Sequence, residues 1–361
     1  MKTIYNKLFL VLIVNLITIG AQAEMGDEYS KSVSKDFDAG KGTSLEVTNK
    51  YGSIEVENWD KASIHIDVKI TVEHRSRDEA DRLLQMINIR FSTEEEWVKA
   101  ITEIDKDFGT SNIWGGGRDG KRFRIDYKIS APKYINVRFN NKYGDISINE
   151  IGGYTEIDLK YGSLTINKLT RGDEKPLNAI VVGYGKATIT ECNWLKLNIS
   201  YSPMATIDKA KALVLISKYS KATIESASSL VAESGYDGYS IGSLSNFVLK
   251  GKYSHYSVKN VTKIIDAEIK YSGFEVGTIP ASFESIKIQN AYGKIDLGIV
   301  REASYTLNAF VKYAGIEYPD NDRISSISEN TSKTVNGVVG TGKPTATVDI
   351  NSSYGGVDLI K

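Results

Sequence analysis

Glu233, Lys250 and Glu268 recur at intervals of 17 and 18 residues, with Ile216 one interval earlier. If those intervals are successive layers of a stacked β structure, about 4.8 Å apart, the two carboxylates stand roughly 9–10 Å from each other. That approaches the separation of about 6.5–9.5 Å used by inverting glycosidases, where one acid protonates the leaving group and the other activates water. Lys250 falls between them, however. An alternating Glu-Lys-Glu column is what favourable cross-strand pairing produces by itself. The structural reading leads, and no catalytic residue is assigned.

Other reactive side chains are sparse. His65, His74 and His255 are scattered, and no H-x-x-x-H, C-x-x-C or serine elbow occurs, so neither metal nor triad chemistry has a foothold. Cys192 is the only cysteine and reads as a small core residue. Asp320 and Asp322 share a loop, too little for a calcium site. "NIWGGGRDGKR" (112–122) lacks phosphate-loop spacing and reads as a hairpin tip, with Trp114 and Arg118 on it. No cofactor and no metal is expected.

The chain has 45 basic and 45 acidic residues, for a formal net charge of zero. Nucleic-acid binding leaves a basic excess, so that partner class is set aside. Met1-Lys2-Thr3 and Lys7 precede an apolar run from Leu8 to Ile19, and Ala21 and Ala23 form an A-x-A site. This reads as a signal peptide over 1–23, with export to the periplasm, the outer surface or the medium. The run is shorter than the roughly 20 residues of a membrane span, so no transmembrane segment is expected after cleavage.

Positioning falls to a repeat. "NKYG" at 49–52 returns at 141–144, and related copies place tyrosines at 51, 143, 161, 184, 201, 219, 236, 253, 271, 292, 313 and 354. The residue after each is small or turn-forming. Apolar residues stand four before it and three and five after it, except that Ile207 arrives one residue late beside Pro203. This is period-two patterning on both sides of a corner. A repeat of about 17–23 residues is too short for a β-α-β unit of roughly 30. The expected fold is all-β: a single-stranded parallel β-solenoid with one coil per repeat. By parity, Tyr143, Tyr161, Tyr184, Tyr201, Tyr219, Tyr236, Tyr253, Tyr271, Tyr292, Tyr313 and Tyr354 face inward as a structural ladder, like Tyr51. Asn49, Asn141 and Asn290 are candidate partners for their hydroxyls.

Three outward columns remain. Val214, Val231 and Val248, with Ile216 beside them, form an apolar column that the N-terminal helix, a neighbouring segment or a partner would cover. Lysine precedes the tyrosine in seven copies, among them Lys218, Lys252 and Lys270. That row suits edge protection or attraction to acidic glycans. Thr165, Thr188, Thr223, Ser240 and Ser257 form a hydroxyl row one residue wide, as good β formers on a solvent face.

Residues 24–135 read as an N-terminal β-rich segment, with the first repeat at 45–57. Ser76-Arg77-Asp78-Glu79 has capping-box form and opens a helix over 77–88. Repeats fill 136–318, and 319–361 is expected to cap the C-terminal end and carry the last repeat.

"SLEVTNKYGSIEVENWDKASIHIDVKITV" (44–72), "RDEADRLLQMI" (77–87), "NKYGDISI" and the repeats through "SSYGGVDL" (352–359) together resemble a family of secreted bacterial proteins. These are putative adhesins with β-strand repeats, frequent in Bacteroidetes. The resemblance spans nearly the whole mature chain. It implies a parallel β-solenoid and an adhesive role, and it brings no functional residues with it. The expected function is that of an exported, non-enzymatic surface or envelope interaction protein, with a surface glycan or a protein as partner. A polysaccharide-degrading enzyme on the same scaffold is the alternative. Oligomeric state is not legible.

Overall fold

A computed structural model describes residues 27–108 and 122–360 of the chain. The leader expected over 1–23, and Trp114 and Arg118, lie outside the described residues. Strand dominates, with a single α-helix among the described residues, and the strands join one large mixed sheet.

The chain enters through β1 (Asp27–Asp38), β2 (Ser44–Lys50), β3 (Ile54–Asn58) and β4 (Ser63–His74). Then come α1 (Arg77–Gln85), β5 (Ile87–Glu94), β6 (Trp97–Ile104) and β7 (Arg122–Ala131). Ser76 caps α1, its hydroxyl accepting from the Glu79 N–H at 3.5 Å, and Ala80, Leu83 and Leu84 are buried. The helix is shorter than expected. Met86 closes it, and β-branched Ile87, which a strand suits better, already opens β5.

β8 (Asn136–Lys142) and β9 (Ile146–Ile151) carry the second "NKYG" and lie parallel to β2 and β3, Val47 opposite Phe139 and Ile54 opposite Ile146. The intervening segment occupies the far side of that first repeat. There β6 runs parallel to β2, and β7 runs parallel to β3, while β4 and β1 continue antiparallel.

Each later repeat adds one strand before its tyrosine and one after. The series runs β10 (Thr155–Lys160), β11 (Leu164–Leu169), β12 (Asn178–Gly183). It continues through five long strands: β13 (Lys186–Ser200), β14 (Met204–Lys218), β15 (Lys221–Gly235), β16 (Gly238–Lys252) and β17 (His255–Lys270). Each long strand ends one repeat and begins the next, and all pair parallel, with one register shift in the β16–β17 pair between Leu244 and Asn246. The column four before the tyrosine, from Val47 to Ile350, is at most 3% exposed throughout, which is the core that patterning demanded. Ile207 is late because Pro203 adds a residue at the corner. Met204 is therefore exposed, Ala205 takes the inward place, and Thr206 joins Thr188 and Thr223 in the hydroxyl row.

Chain order breaks at the C-terminal end. After β18 (Gly273–Ile279), β19 (Ser285–Ala291) and β20 (Ile295–Ile299) come β21 (Tyr305–Lys312) and β22 (Ile316–Glu317). A hairpin, β23 (Ile324–Glu329) and β24 (Ser332–Val339), leads back to β25 (Ala346–Ser353) and β26 (Val357–Asp358). β25 sits between β19 and β21, and β26 between β20 and β22. The last repeat in sequence is therefore internal in space: β21 and β22 lie outside it, and the hairpin lies outside β21, β24 antiparallel to β21.

The inward placement of the tyrosines is wrong. The ten from Tyr161 to Tyr354 are 41–51% exposed, and Tyr143 and Tyr51 are partly so. All twelve have φ between 51° and 68°. A left-handed residue breaks the alternation of a strand, so parity counted from one side does not carry through it. The residue after the tyrosine takes the inward place instead. Where it is glycine, the backbones close up. A Cβ on Gly144 would stand 2.0 Å from the Gly52 carbonyl oxygen. Where it is Ser or Asp, a buried side-chain ladder forms. The N–H groups of Ser202, Ser220, Asp237 and Ser254 donate to Ser220 Oγ (3.1 Å), Asp237 Oδ1 (2.7 Å), Ser254 Oγ (3.1 Å) and Ser272 Oγ (3.1 Å). The asparagines serve the corner backbone, not tyrosine hydroxyls: Asn141 Nδ2 donates to the Gly52 and Gly144 carbonyls at 2.9 and 3.0 Å.

Candidate interaction face

The outward tyrosines form one uninterrupted stack, in the order 51, 143, 161, 184, 201, 219, 236, 253, 271, 292, 354, 313. Ring centroids are 4.7–5.3 Å apart, at interplanar angles of 2–18°. Carbon contact distances are about 3.5–4.0 Å, so the rings are offset, each shingled on the next. Phe123 closes the stack at its N-terminal end, edge-on to Tyr51 at 5.0 Å. Because neighbours occupy the faces, the stack shows solvent its ring edges and hydroxyls. It offers no open aromatic face for a sugar to lie on between repeats.

Lysines border it. The Nζ atoms of Lys50, Lys142, Lys218, Lys270 and Lys312 lie 4.8, 4.8, 5.5, 5.3 and 5.3 Å from the centroids of the tyrosines that follow them. Such cation–π contacts stabilise by about 0.5–1 kcal/mol each at exposed sites. The row is broken where Gly183, Ser200, Gly235, Ala291 and Ser353 replace lysine.

A trough runs beside the stack. Its first part, about 480 Å³, is lined by Val181, Asn198, Ile216, Gly235 and Tyr236 among others. The next, about 570 Å³, takes in Glu233, Lys250, Lys252, Glu268, Lys270 and Gln289. A third, about 260 Å³, continues over Gln289, Asn351, Phe310 and Thr334. These share one register column three before the tyrosine: Val181, Asn198, Ile216, Glu233, Lys250, Glu268, Gln289, Asn351, Phe310. The Glu-Lys-Glu column is real in register, with Lys250 opposite both glutamates.

The valine column runs two residues before the trough's column on the same outward face. Val214, Val231 and Val248 are consecutive partners, with Val231 42% and Val248 37% exposed and Val214 and Ile216 half-buried. The N-terminal helix does not cover them, since α1 packs on β1, β4 and β5. Cys192 is buried, and burial pushes its thiol up to about 12, which suits an inert core residue. Among the described residues, no group of three or more His, Cys, Asp or Glu side chains is placed to hold a metal. No helix among them is long and apolar enough to cross a membrane.

Sequence reasoning missed the exposure of the stack and the trough. The signal for the first lay in the small residue after each tyrosine, which shares parity with the apolar positions three and five after it.

No protein-family model matches the chain, and no curated protein does. Solved structures similar to it include a putative cell adhesion protein from Clostridium sporogenes at 9% identity, covering 92% of this chain and 99% of that one, with a TM-score of 0.22. A putative adhesin from Bacteroides fragilis aligns at 12% identity over 75% of this chain and 97% of its own, with a TM-score of 0.31. A putative lipid binding protein from Parabacteroides distasonis aligns at 13% identity over 74% and 96%, with a TM-score of 0.35.

Proposed function

We propose that this is an exported, non-enzymatic β-solenoid protein that acts by surface contact, as an adhesin or an envelope interaction protein. On this reading the two columns of parallel strands, before and after each tyrosine, are the faces of successive coils. The trough beside the tyrosine stack is the contact surface. One observation supports the reading above others: three hollows fall in line along one register column, with exposed Val231 and Val248 in the next outward column of the same face. An extended partner laid along the stacking axis would meet the same geometry repeat after repeat, which suits adhesion better than turnover at one point. Cell fractionation should place the protein outside the cytoplasm. Probing the purified chain against glycans and matrix proteins should give saturable retention, and a cytoplasmic location would sink the proposal.

The alternative, a carbohydrate-active enzyme, draws on Glu233 and Glu268 lining the same hollow. Glu233→Gln separates the two readings. Retention should survive it, and any polysaccharide-degrading activity that collapsed with it would favour the enzyme.

A further inference from the structure

The column of strands before the tyrosines does not stop at its outermost repeat. Beyond β21 it gains β24 and then β23, while the other column ends at β22. β23 pairs with β24 alone, so its far edge is open.

The fold's other long edge strand is guarded. β1 carries Lys31 and Lys35; Lys31 Nζ donates to the Ile87 carbonyl of β5 at 2.7 Å, and Phe37 meets Phe91 of β5 at 6.0 Å. Charge and cover of this kind protect sheet edges. β23 has neither. Its sequence, ISSISE, holds no lysine and no proline, and every residue after Ile324 is exposed. Ile327, at 59%, is the most exposed large apolar side chain among the described residues.

Backbone direction fixes which groups are free. The Arg323 carbonyl accepts from the Val338 N–H at 3.2 Å, inside the hairpin. Alternation then turns the N–H and C=O of Ser326 and Ser328, and the Ile324 carbonyl, away from β24. The Ile324 N–H is already used by the Asn321 carbonyl at 3.3 Å.

This edge is complementary to itself. Laid antiparallel on a second copy about a two-fold axis at Ser326, it exchanges both Ser326 hydrogen bonds, and each Ser328 N–H meets an Ile324 carbonyl. The same register sets Arg323 opposite Glu329 at both ends. Arg323 spends only Nη1, on the Gly340 and Gly342 carbonyls at 2.9 and 3.1 Å, and Glu329 has no cationic partner among the described residues. Between them Ile327 falls opposite Ser325, and no like charges face each other.

We propose that the β23 edge pairs with the β23 edge of a second copy, joining two chains tail to tail through one continuous sheet. Phe310, Thr334 and Ile327 lead from the trough's column to that edge, so the dimer sets two such columns end to end on one face. Paired edges of this length are small beside a standard interface of about 1,600 Å², so association is expected at micromolar concentration.

Sedimentation velocity of the full chain between about 1 and 200 µM should show a monomer–dimer equilibrium. Ser326→Pro removes the N–H at the axis. That group faces away from β24, so the thermal midpoint should be unchanged, while dimerisation weakens by at least about tenfold. Cysteines read the register. Paired Cα atoms at a hydrogen-bonded antiparallel site lie about 5.5 Å apart, within reach of a disulfide. Ser326→Cys should therefore give a covalent dimer under oxidised glutathione and Ser328→Cys should not, with Cys192 buried out of reach. A chain monomeric throughout, a dimer indifferent to Ser326→Pro, or cross-linking of Ser328→Cys as complete as that of Ser326→Cys overturns the proposal.

Discussion

Repeats cornered by glycine and repeats cornered by serine solve the same problem in two ways. At Gly52, Gly144, Gly162 and Gly185, and again at Gly293 and Gly355, successive corners touch backbone to backbone. There Asn141 and Asn290 reach in from two residues before the tyrosine to hold the corner carbonyls, and Ser352 does so for Gly355. In the middle, Ser202, Ser220, Asp237, Ser254 and Ser272 interpose a side chain between layers. At two of these five repeats the residue two before the tyrosine is also a serine, Ser217 or Ser234, whose hydroxyls bond Asp237 and Tyr239, or Ser254 and Tyr256. Glycine corners depend on the absence of an atom, and serine corners on the presence of one. Outside both runs the same tyrosine stack, indifferent to which corner lies beneath it. The aromatic ladder sets the register, and the inner residue sets how the backbone is satisfied.

The difference makes distinct substitutions costly. The largest effect is expected from Gly144→Ala, which drives a methyl into the Gly52 carbonyl and should cost about 3 kcal/mol or more. A thermal midpoint within experimental error of wild type would contradict the close-contact corner. Next comes the shared ladder. Tyr219→Ala keeps a left-handed residue and loses two ring contacts, for about 2 kcal/mol. Tyr219→Gly loses the same contacts but relaxes the backbone, so it should cost roughly half as much. If glycine proves worse than alanine, the strain assigned to φ 51° at Tyr219 is wrong. Ser220→Ala orphans the buried Ser202 N–H and should cost about 1 kcal/mol, measured by denaturant midpoint.

The smallest effect is a pH dependence. Burial, the dominant cause, raises the Asp237 carboxyl above its usual range, against hydrogen bonds from Ser217, Ser220 and Gly235 that lower it. An acid raised by folding binds its proton more tightly in the native state. Its favourable contribution is present below the ordinary aspartate pKa and is lost as pH rises through the native value. Asp237→Asn should therefore lose less stability than wild type between acidic and neutral pH. A steeper fall in the variant would reverse the sign.

Much of this was legible in the sequence. The apolar beat located nearly every strand before and after a tyrosine, and "NKYG" at both 49–52 and 141–144 announced that β2 and β8 are neighbours despite the chain between them. The direction of the tyrosine was not read correctly, because parity was carried across a residue whose left-handed backbone resets it. The small residue beside it held the correction, since Ser220 keeps step with Ala222 and Ile224. The internal placement of β25 could not be read at all. Its pattern, like that of every repeat, fits any position in the stack, and only three-dimensional packing chooses. The trough was equally hidden, because it follows one register column, three before each tyrosine, whose spatial order through Gln289, Asn351 and Phe310 means nothing until the register is known.

The trough as a contact surface is tested most directly by retention of wild type and of an Ile216→Lys/Val231→Lys double variant on one array of glycans and matrix proteins. Lys250 and Lys196 already stand in those two columns, so the double variant should fold with an unchanged thermal midpoint. Retention of the wild-type chain, with loss of at least about tenfold in the variant, is the expected result. Equal retention of the two proteins on every spot would contradict it.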